Sequence, residues 1–204
     1  MTMLKLSALA LALAVAGALG AEAPETGSPA PPFSVTASDG QVYDLAKLKG
    51  KTVVLEWTNP GCPFVHKHYD SGNMQGLQKK YTAKGVVWLS IDSSAAGEEG
   101  SFASNAEALD WLKSRNASPT ALVLDGDGTL GHLYGAKTTP HMFVIDKKGI
   151  LAYKGAIDDK PSASAEDIPK ARNWVSLALD SLRAGKKVAI AETRSYGCRV
   201  KYKD

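Results

Sequence analysis

Residues 52–65 read Thr52-Val53-Val54-Leu55-Glu56-Trp57-Thr58-Asn59-Pro60-Gly61-Cys62-Pro63-Phe64-Val65. The first six are β-branched or apolar apart from one carboxylate, the composition of a strand buried on both faces. Asn59-Pro60-Gly61 supplies turn chemistry, and Pro63, with its fixed φ and missing N–H, suits the first turn of a helix. That helix is expected to begin at Cys62 and run toward Tyr69, to break near Asp70-Ser71-Gly72-Asn73, and to resume to about Ala83. Cys62 therefore stands where a buried strand hands over to a helix, among unpaired backbone N–H groups whose dipoles favour negative charge on sulfur. His66 and Lys67 lie one turn along. A thiolate so placed is a nucleophile. The alternative is an inert, buried thiol used as a small apolar residue, and the flanking Gly61 and Pro63 weigh against it, because core packing would want apolar neighbours.

Outward from this stretch, Phe33 to Ala37 and Gln41 to Leu45 form an opening hairpin around Ser38-Asp39-Gly40. On the other side, Gly85 leads into a second buried strand, Val86 to Asp92, followed by a surface loop over Ser93 to Ser101. Ser104 and Glu107 have capping-box spacing, and Ala108, Trp111 and Leu112 form an apolar stripe, so a helix spans about Asn105 to Arg115. Ala121 to Leu124 is a strand, Asp125-Gly126-Asp127-Gly128 a turn, and Thr129 to Tyr134 a short helix. His141 to Asp146 and Ile150 to Lys154 make a second hairpin around Lys147-Lys148-Gly149. Ala171, Trp174, Val175, Ala178, Leu179 and Leu182 recur at helical spacing and stop before Gly185. Alternating βα units followed by a hairpin predict an α/β fold of three layers, a mixed central sheet with helices on both faces.

The 204-residue chain opens with Lys5 and an apolar run from Leu6 to Leu19 that ends in small residues at Gly20 and Ala21. This is the pattern of a cleaved export signal over residues 1–21, and the run is short for a membrane span, which needs about 20 apolar residues. A retained membrane anchor is the alternative. The remaining organisation is a flexible lead at 22–32, one domain at 33–185 and a C-terminal tail at 186–204 that carries Cys198. The formal net charge is +3, with lysines spread along the chain, which argues against nucleic acid as a partner. Two cysteines in an exported protein raise the question of a pair, and neither sits in the closely spaced arrangement of a zinc site.

Taken together, the entry Pro32-Phe33 with Asp39-Gly40, the strand Val53 to Trp57, Cys62-Pro63, and Thr139-Pro140 with Val144-Ile145-Asp146 and Gly149 resemble the thioredoxin superfamily. The chain is most similar to its redoxin branch, with the alkyl hydroperoxide reductases and exported thioredoxin-like proteins. The resemblance implies a thioredoxin-like fold, a periplasmic or secreted location, Cys62 as catalytic nucleophile, and a cis peptide bond at Thr139-Pro140 against the sulfur. The Thr139 backbone would then be free to pair with an extended substrate segment beside Cys62. The reading stands on a solvent-reachable sulfur and on that cis bond.

The departures are informative. Thioredoxins carry Cys-x-x-Cys, whereas Val65 stands at the second position, so release of a mixed disulfide falls to an outside thiol or to Cys198. Cys198 is a candidate resolving residue, with a free thiol or an interchain pair as alternatives. Peroxiredoxins place threonine or serine where this chain has Asn59, and no arginine occurs between the signal and Arg115. A metal set of Cys62, His66 and His141 would resemble the copper-delivery branch only in part, and His66 and His68 read as solvated helix residues, with His132 unpartnered. Glu56 is a candidate proton relay and Trp57 a packing and substrate-contact residue beside the site. The expectation is thus an exported thiol–disulfide oxidoreductase without a cofactor. It would act on protein or small-molecule disulfides and thiols with an external thiol reductant. A thiol peroxidase or a non-catalytic metal- or peptide-binding module are the alternatives.

Overall fold

The computed structural model describes residues 23–203. The signal-peptide reading falls outside them. β1 (Ser34–Thr36) and β2 (Val42–Asp44) form the opening hairpin, closed by a 3-10 turn at Leu45–Leu48 that Asp44 caps through Ala46 N. β3 (Val53–Trp57) follows, then α1 (Pro63–Asp70), α2 (Asn73–Thr82), β4 (Val87–Asp92), α3 (Asn105–Ser114), β5 (Ala121–Leu124) and α4 (Thr129–Tyr134). Two-residue β6 (Thr138–Thr139) precedes β7 (His141–Ile145) and β8 (Leu151–Gly155). A 3-10 segment at Ala165–Lys170, α5 (Trp174–Arg183) and two-residue β9 (Cys198–Arg199) complete the chain.

The central sheet runs β5-β4-β3-β7-β8. β3 is parallel to β4 and antiparallel to β7, and β4 is parallel to β5, which makes the sheet mixed. Because strand side chains alternate, β3 sends Val53, Leu55 and Trp57 to one face and Val54 with Glu56 to the other. The first face packs on Phe33 and Leu45 of the N-terminal segment and on Leu130 and Tyr134 of α4. The second packs on Val65 and Tyr69 of α1, Met74, Leu77 and Tyr81 of α2, and Val175, Ala178 and Leu179 of α5. Cys62 belongs to this second cluster.

Local signals explain the boundaries. Gly72, at φ 74, breaks the helical path between α1 and α2, a conformation open to glycine at no steric cost. Ser104 Oγ accepts from Glu107 N at 3.2 Å and Glu107 Oε2 from Ala103 N at 2.7 Å, so the expected cap forms. Asn173 Oδ1 accepts from Ser176 N at 2.8 Å, and this cap starts α5 at Trp174, leaving Ala171 outside the helix.

Three segments outside the sheet and its helices pack on the body. The lead lies against the second hairpin: Gly27 N donates to Leu151 O at 2.8 Å and Leu151 N to Ser28 O at 2.9 Å. The loop after β4 begins buried at Ser93, Ser94 and Ala95, with Trp57 Nε1 donating to Ser93 Oγ at 2.9 Å. The tail is part of the body, since Val188 and Val200 are buried in the two halves of the core. Among the described residues, no helix is long and apolar enough to cross a membrane.

Candidate active site

The turn that delivers the cysteine is held by Asn59. Its Oδ1 accepts from Gly61 N at 2.7 Å, and its Nδ2 donates to Ser94 Oγ and Glu99 O, both at 2.8 Å. Cys62 N donates to Asn59 O at 3.1 Å, and Cys62 is the N-cap of α1 with Pro63 at the first helical position. The amide supply at this terminus is thinner than expected. Pro63 has no N–H, and Val65 N and His66 N both bond the Cys62 carbonyl at 3.0 Å. The Cys62 thiol donates to Thr139 O at 3.0 Å, and the Thr139-Pro140 peptide bond is cis.

The backbone of Thr139 is not free. β6 pairs antiparallel with β9, Thr138 opposite Arg199 and Thr139 opposite Cys198, and Val200 N donates to Lys137 O at 3.1 Å. The chain's own tail therefore lies where an extended substrate was expected. Both cysteines are free thiols, and the β6–β9 register sets Cys198 opposite Thr139, whose carbonyl Cys62 bonds. Desolvation, then the hydrogen bond to Cys62 and the charge there, push the Cys198 thiol up to about 12. Cys62 is 2% exposed, so the expectation of a solvent-reachable sulfur is corrected for this docked arrangement. The polypeptide packed beside it includes the second thiol.

Tyr196 anchors the tail two residues before Cys198. Its ring meets Phe64 edge-on at 5.9 Å, and Lys67 Nζ lies 5.3 Å from its centroid. Its hydroxyl donates to Asp158 Oδ1, while His68 Nε2 and Lys67 Nζ each lie 3.3 Å from the hydroxyl oxygen. Lys67 also donates to Lys160 O at 2.6 Å and pairs with Asp158 Oδ2 at 3.4 Å. All three body side chains of this cluster, Lys67, His68 and Asp158, are buried. Burial, reinforced by Lys67 and opposed by Asp158, lowers His68 to about 4, so it is neutral at pH 7. Gly197, at φ 136, lies so close to the strand that a Cβ would collide with the Thr139 carbonyl. The sequence showed Tyr196-Gly197-Cys198 as a string but gave no sign that Lys67 and Asp158 receive it.

Other sequence candidates lie elsewhere. Glu56 is buried and accepts from Trp88 Nε1 at 2.7 Å, Tyr69 OH at 2.8 Å, Ser90 Oγ at 2.9 Å and Gln78 Nε2 at 3.1 Å. Desolvation raises its pKa despite these four donors, and among the described residues none of the four bonds Cys62 directly. Trp57 packs at 5.1 Å from Phe143 and 5.9 Å from Tyr134, on the sheet face opposite Cys62, so it is core and not substrate contact. His66 pairs with Asp70 at 3.3 Å, and the buried His141 accepts from Lys137 N at 3.2 Å, lowered to about 3 by burial. Among the described residues, no group of three or more His, Cys, Asp or Glu is placed to hold a metal, so Cys62, His66 and His141 do not assemble as one. His68 is buried instead of solvated, and His132 stacks on Tyr202 of the tail at 4.0 Å.

A mixed five-stranded sheet, a cysteine at the first turn of α1 and a cis-proline facing it define a thioredoxin-like thiol protein. Within that class the chain belongs to the Redoxin family, whose profile matches residues 25–173. It is 32% identical over 149 residues to the thiol:disulfide interchange protein DsbE of Escherichia coli K12, covering 70% of this chain and 71% of that one. A Coxiella burnetii protein provisionally described as the peroxiredoxin bcp is 27% identical over 145 residues, covering 69% and 86%. Among solved structures, an uncharacterized conserved protein from Geobacillus kaustophilus aligns with a TM-score of 0.72 at 26% identity, covering 88% and 93%.

Proposed function

We propose that this protein is an exported thiol–disulfide oxidoreductase whose redox pair is Cys62 and Cys198. The observation that carries this reading is the pairing of β9 with β6, which sets Cys198 opposite Thr139 while Cys62 bonds the Thr139 carbonyl. The similarity to a thiol:disulfide interchange protein supports the reaction class.

In the proposed reaction the tail first leaves β6 and uncovers Cys62, which is 2% exposed while the tail is paired there; the Cys62 thiol then loses its proton and its sulfur attacks one sulfur of a substrate disulfide. A Cys62–substrate S–S bond forms, the substrate S–S bond breaks, and the departing thiolate takes up a proton. Cys198 then attacks Cys62 Sγ, which releases the second substrate thiol and leaves a Cys62–Cys198 disulfide. Two protein thiols are oxidised, one substrate disulfide becomes two thiols, and both protons end on the substrate. An external thiol reductant returns the pair. The raised affinity of Cys198 for its proton suits this order: part of it comes from Cys62, and that part is lost once the Cys62 sulfur is in a disulfide.

Peroxide reduction has less support: Asn59, in place of the peroxiredoxin threonine or serine, tethers the turn, and Arg115 is bonded to Asp70 and faces His66. The test is stoichiometric. Reduced protein is mixed with a model disulfide, quenched, and mapped by peptide mass analysis. The wild type should release two equivalents of thiol and gain the Cys62–Cys198 bond, Cys198→Ser should stop at the mixed disulfide on Cys62, and Cys62→Ser should release none. Wild-type protein that leaves the disulfide intact refutes the reading.

A further inference from the structure

The groove beside β6 is occupied in a side-chain-specific manner, which a site recognising only backbone would not need. Three consecutive tail residues meet three distinct features. Tyr196 enters a recess walled by Phe64 and closed by the buried Lys67, His68 and Asp158, with its hydroxyl on Asp158. Gly197 passes over the Thr139 carbonyl at a distance that excludes any Cβ. Cys198 pairs opposite Thr139, whose carbonyl the Cys62 thiol bonds. Phe64, Lys67, His68 and Asp158, which form the recess, all belong to the body, and a cavity of about 590 Å³ lies on the other flank of the tail, between Ala156, Pro161 and Trp174 of the body and the tail residues from Thr193 to Gly197 themselves.

The charges beneath the tyrosine are unusual for a purely structural anchor. Lys67 and Asp158 have side-chain exposures of 0% and 1%, and they are 3.4 Å apart. A buried ion pair contributes little net stability, and with both charges out of water a group placed above it has to satisfy them. What it demands is a hydroxyl that donates to Asp158 Oδ1 and accepts from Lys67. An aromatic ring supplies the apolar body against Phe64, and tyrosine carries both features on one side chain.

We propose that this groove is a sequence-reading cleft for cysteine-bearing extended polypeptide, with a preference for tyrosine, then glycine, then the reacting cysteine, and that residues 196–198 are its built-in occupant. The tail thereby competes with outside polypeptide for the same place. The inference rests on Cys62 being redox-active, as proposed above, and adds the substrate class that the site takes. Phe64, Lys67 and Asp158 are its specificity-determining residues, and a substrate thiol carried on a segment with a bulky residue before the cysteine is rejected at the Thr139 carbonyl.

The test uses full-length Cys198→Ser protein, which cannot resolve the first bond. Nonapeptides of the sequence Thr193 to Lys201 carry their cysteine as a disulfide with 2-thiopyridine. Attack by the Cys62 thiol forms the Cys62–peptide bond, breaks the peptide–pyridyl bond, and releases pyridine-2-thione with the proton, which is read by absorbance. The parent peptide is expected to react about tenfold or more faster than peptides with Tyr196→Ala or Gly197→Ala, a discrimination of ~1.4 kcal/mol or more. In Phe64→Ala/Cys198→Ser protein the advantage over the Tyr196→Ala peptide should shrink, whereas the penalty for Gly197→Ala should persist. Equal rates for the three peptides, with a normal reaction toward the small disulfide 2,2′-dithiodipyridine, overturn the cleft and leave the redox function standing. No reaction with the small disulfide either refutes the redox function, and the cleft falls with it.

Discussion

Oxidation of the cysteine pair should stabilise the fold by a large and calculable amount. Cys62 and Cys198 are 136 positions apart, and a bond between them would tie nearly the whole domain into one loop. The loss of unfolded-chain entropy for such a loop is ~5 kcal/mol. Little native distortion is expected, because the tail already pairs in register with Thr139. For a domain of this size a gain of that order raises the thermal midpoint by about 10–20 °C. With a urea dependence of about 2–3 kcal/mol per molar, the urea midpoint should rise by about 2 M. The measurement is equilibrium urea unfolding of diamide-oxidised and reduced protein, with thiols counted in the same samples, and Cys198→Ser should show no difference between them. The reasoning is refuted if both thiols survive oxidant, if oxidation yields covalent dimers, or if both thiols vanish within one chain while the midpoint moves by less than about 0.5 M.

Gly197→Ala should force the tail off the Thr139 carbonyl. At a strain of about 1–3 kcal/mol the undocked fraction rises roughly 5- to 150-fold, and so should the rate at which iodoacetamide alkylates Cys62 in a Cys198→Ser background. Asp92 is raised to about 6, chiefly by desolvation, against an ordinary value of 3.8. Since the folded state holds that proton more tightly, its ionisation removes about 3 kcal/mol of stability as pH rises from below 4 to above 6. Asp92→Asn should therefore gain stability relative to wild type across that window, read as the difference in urea midpoints at pH 4, 5, 6 and 7. Glu56→Leu, by stranding buried donors on Tyr69, Trp88, Ser90 and Gln78, should cost about 3–5 kcal/mol. Glu56→Gln keeps most acceptors and should cost less than about 1.5 kcal/mol, again by urea unfolding. A change in the pH profile of Cys62 reactivity in that variant would support the relay.

The sheet and its helices were legible because their signals are local. The continuous apolar run at Val53 to Trp57, Gly72 between two helical stretches, and Ser104 with Glu107 each act within a few residues, and those elements fall within a residue or two of expectation. The 3-10 segment at Ala165–Lys170 escaped because it has no buried residue and so no apolar period. The site was half legible. Cys62 and Pro140 sit at boundaries that turn chemistry announces, but β6 and β9 are two residues each, too short for any pattern to reveal their partner. Lys67, His68 and Asp158 read as ordinary polar residues, since only the tertiary fold brings Tyr196 onto them. Trp57 lies near Cys62 in sequence, but strand alternation turns it to the other face, which nearness in sequence alone does not reveal.

Lys154 near the end of β8 links both ends of the described chain. Its backbone N–H donates to Ala191 O at 3.0 Å, its carbonyl accepts from Thr193 N at 3.1 Å, and its ammonium reaches Pro24 O at 3.1 Å and Glu192 at 3.3 Å. An outer strand with bare amides and carbonyls is a template for another chain, and this one is already sheathed, by residues 27–30 at its start and 191–193 at its end. If only the stretch beyond Thr193 swings away during turnover, that sheath stays in place. The molecule can then uncover its sulfur without offering a sticky margin to its neighbours.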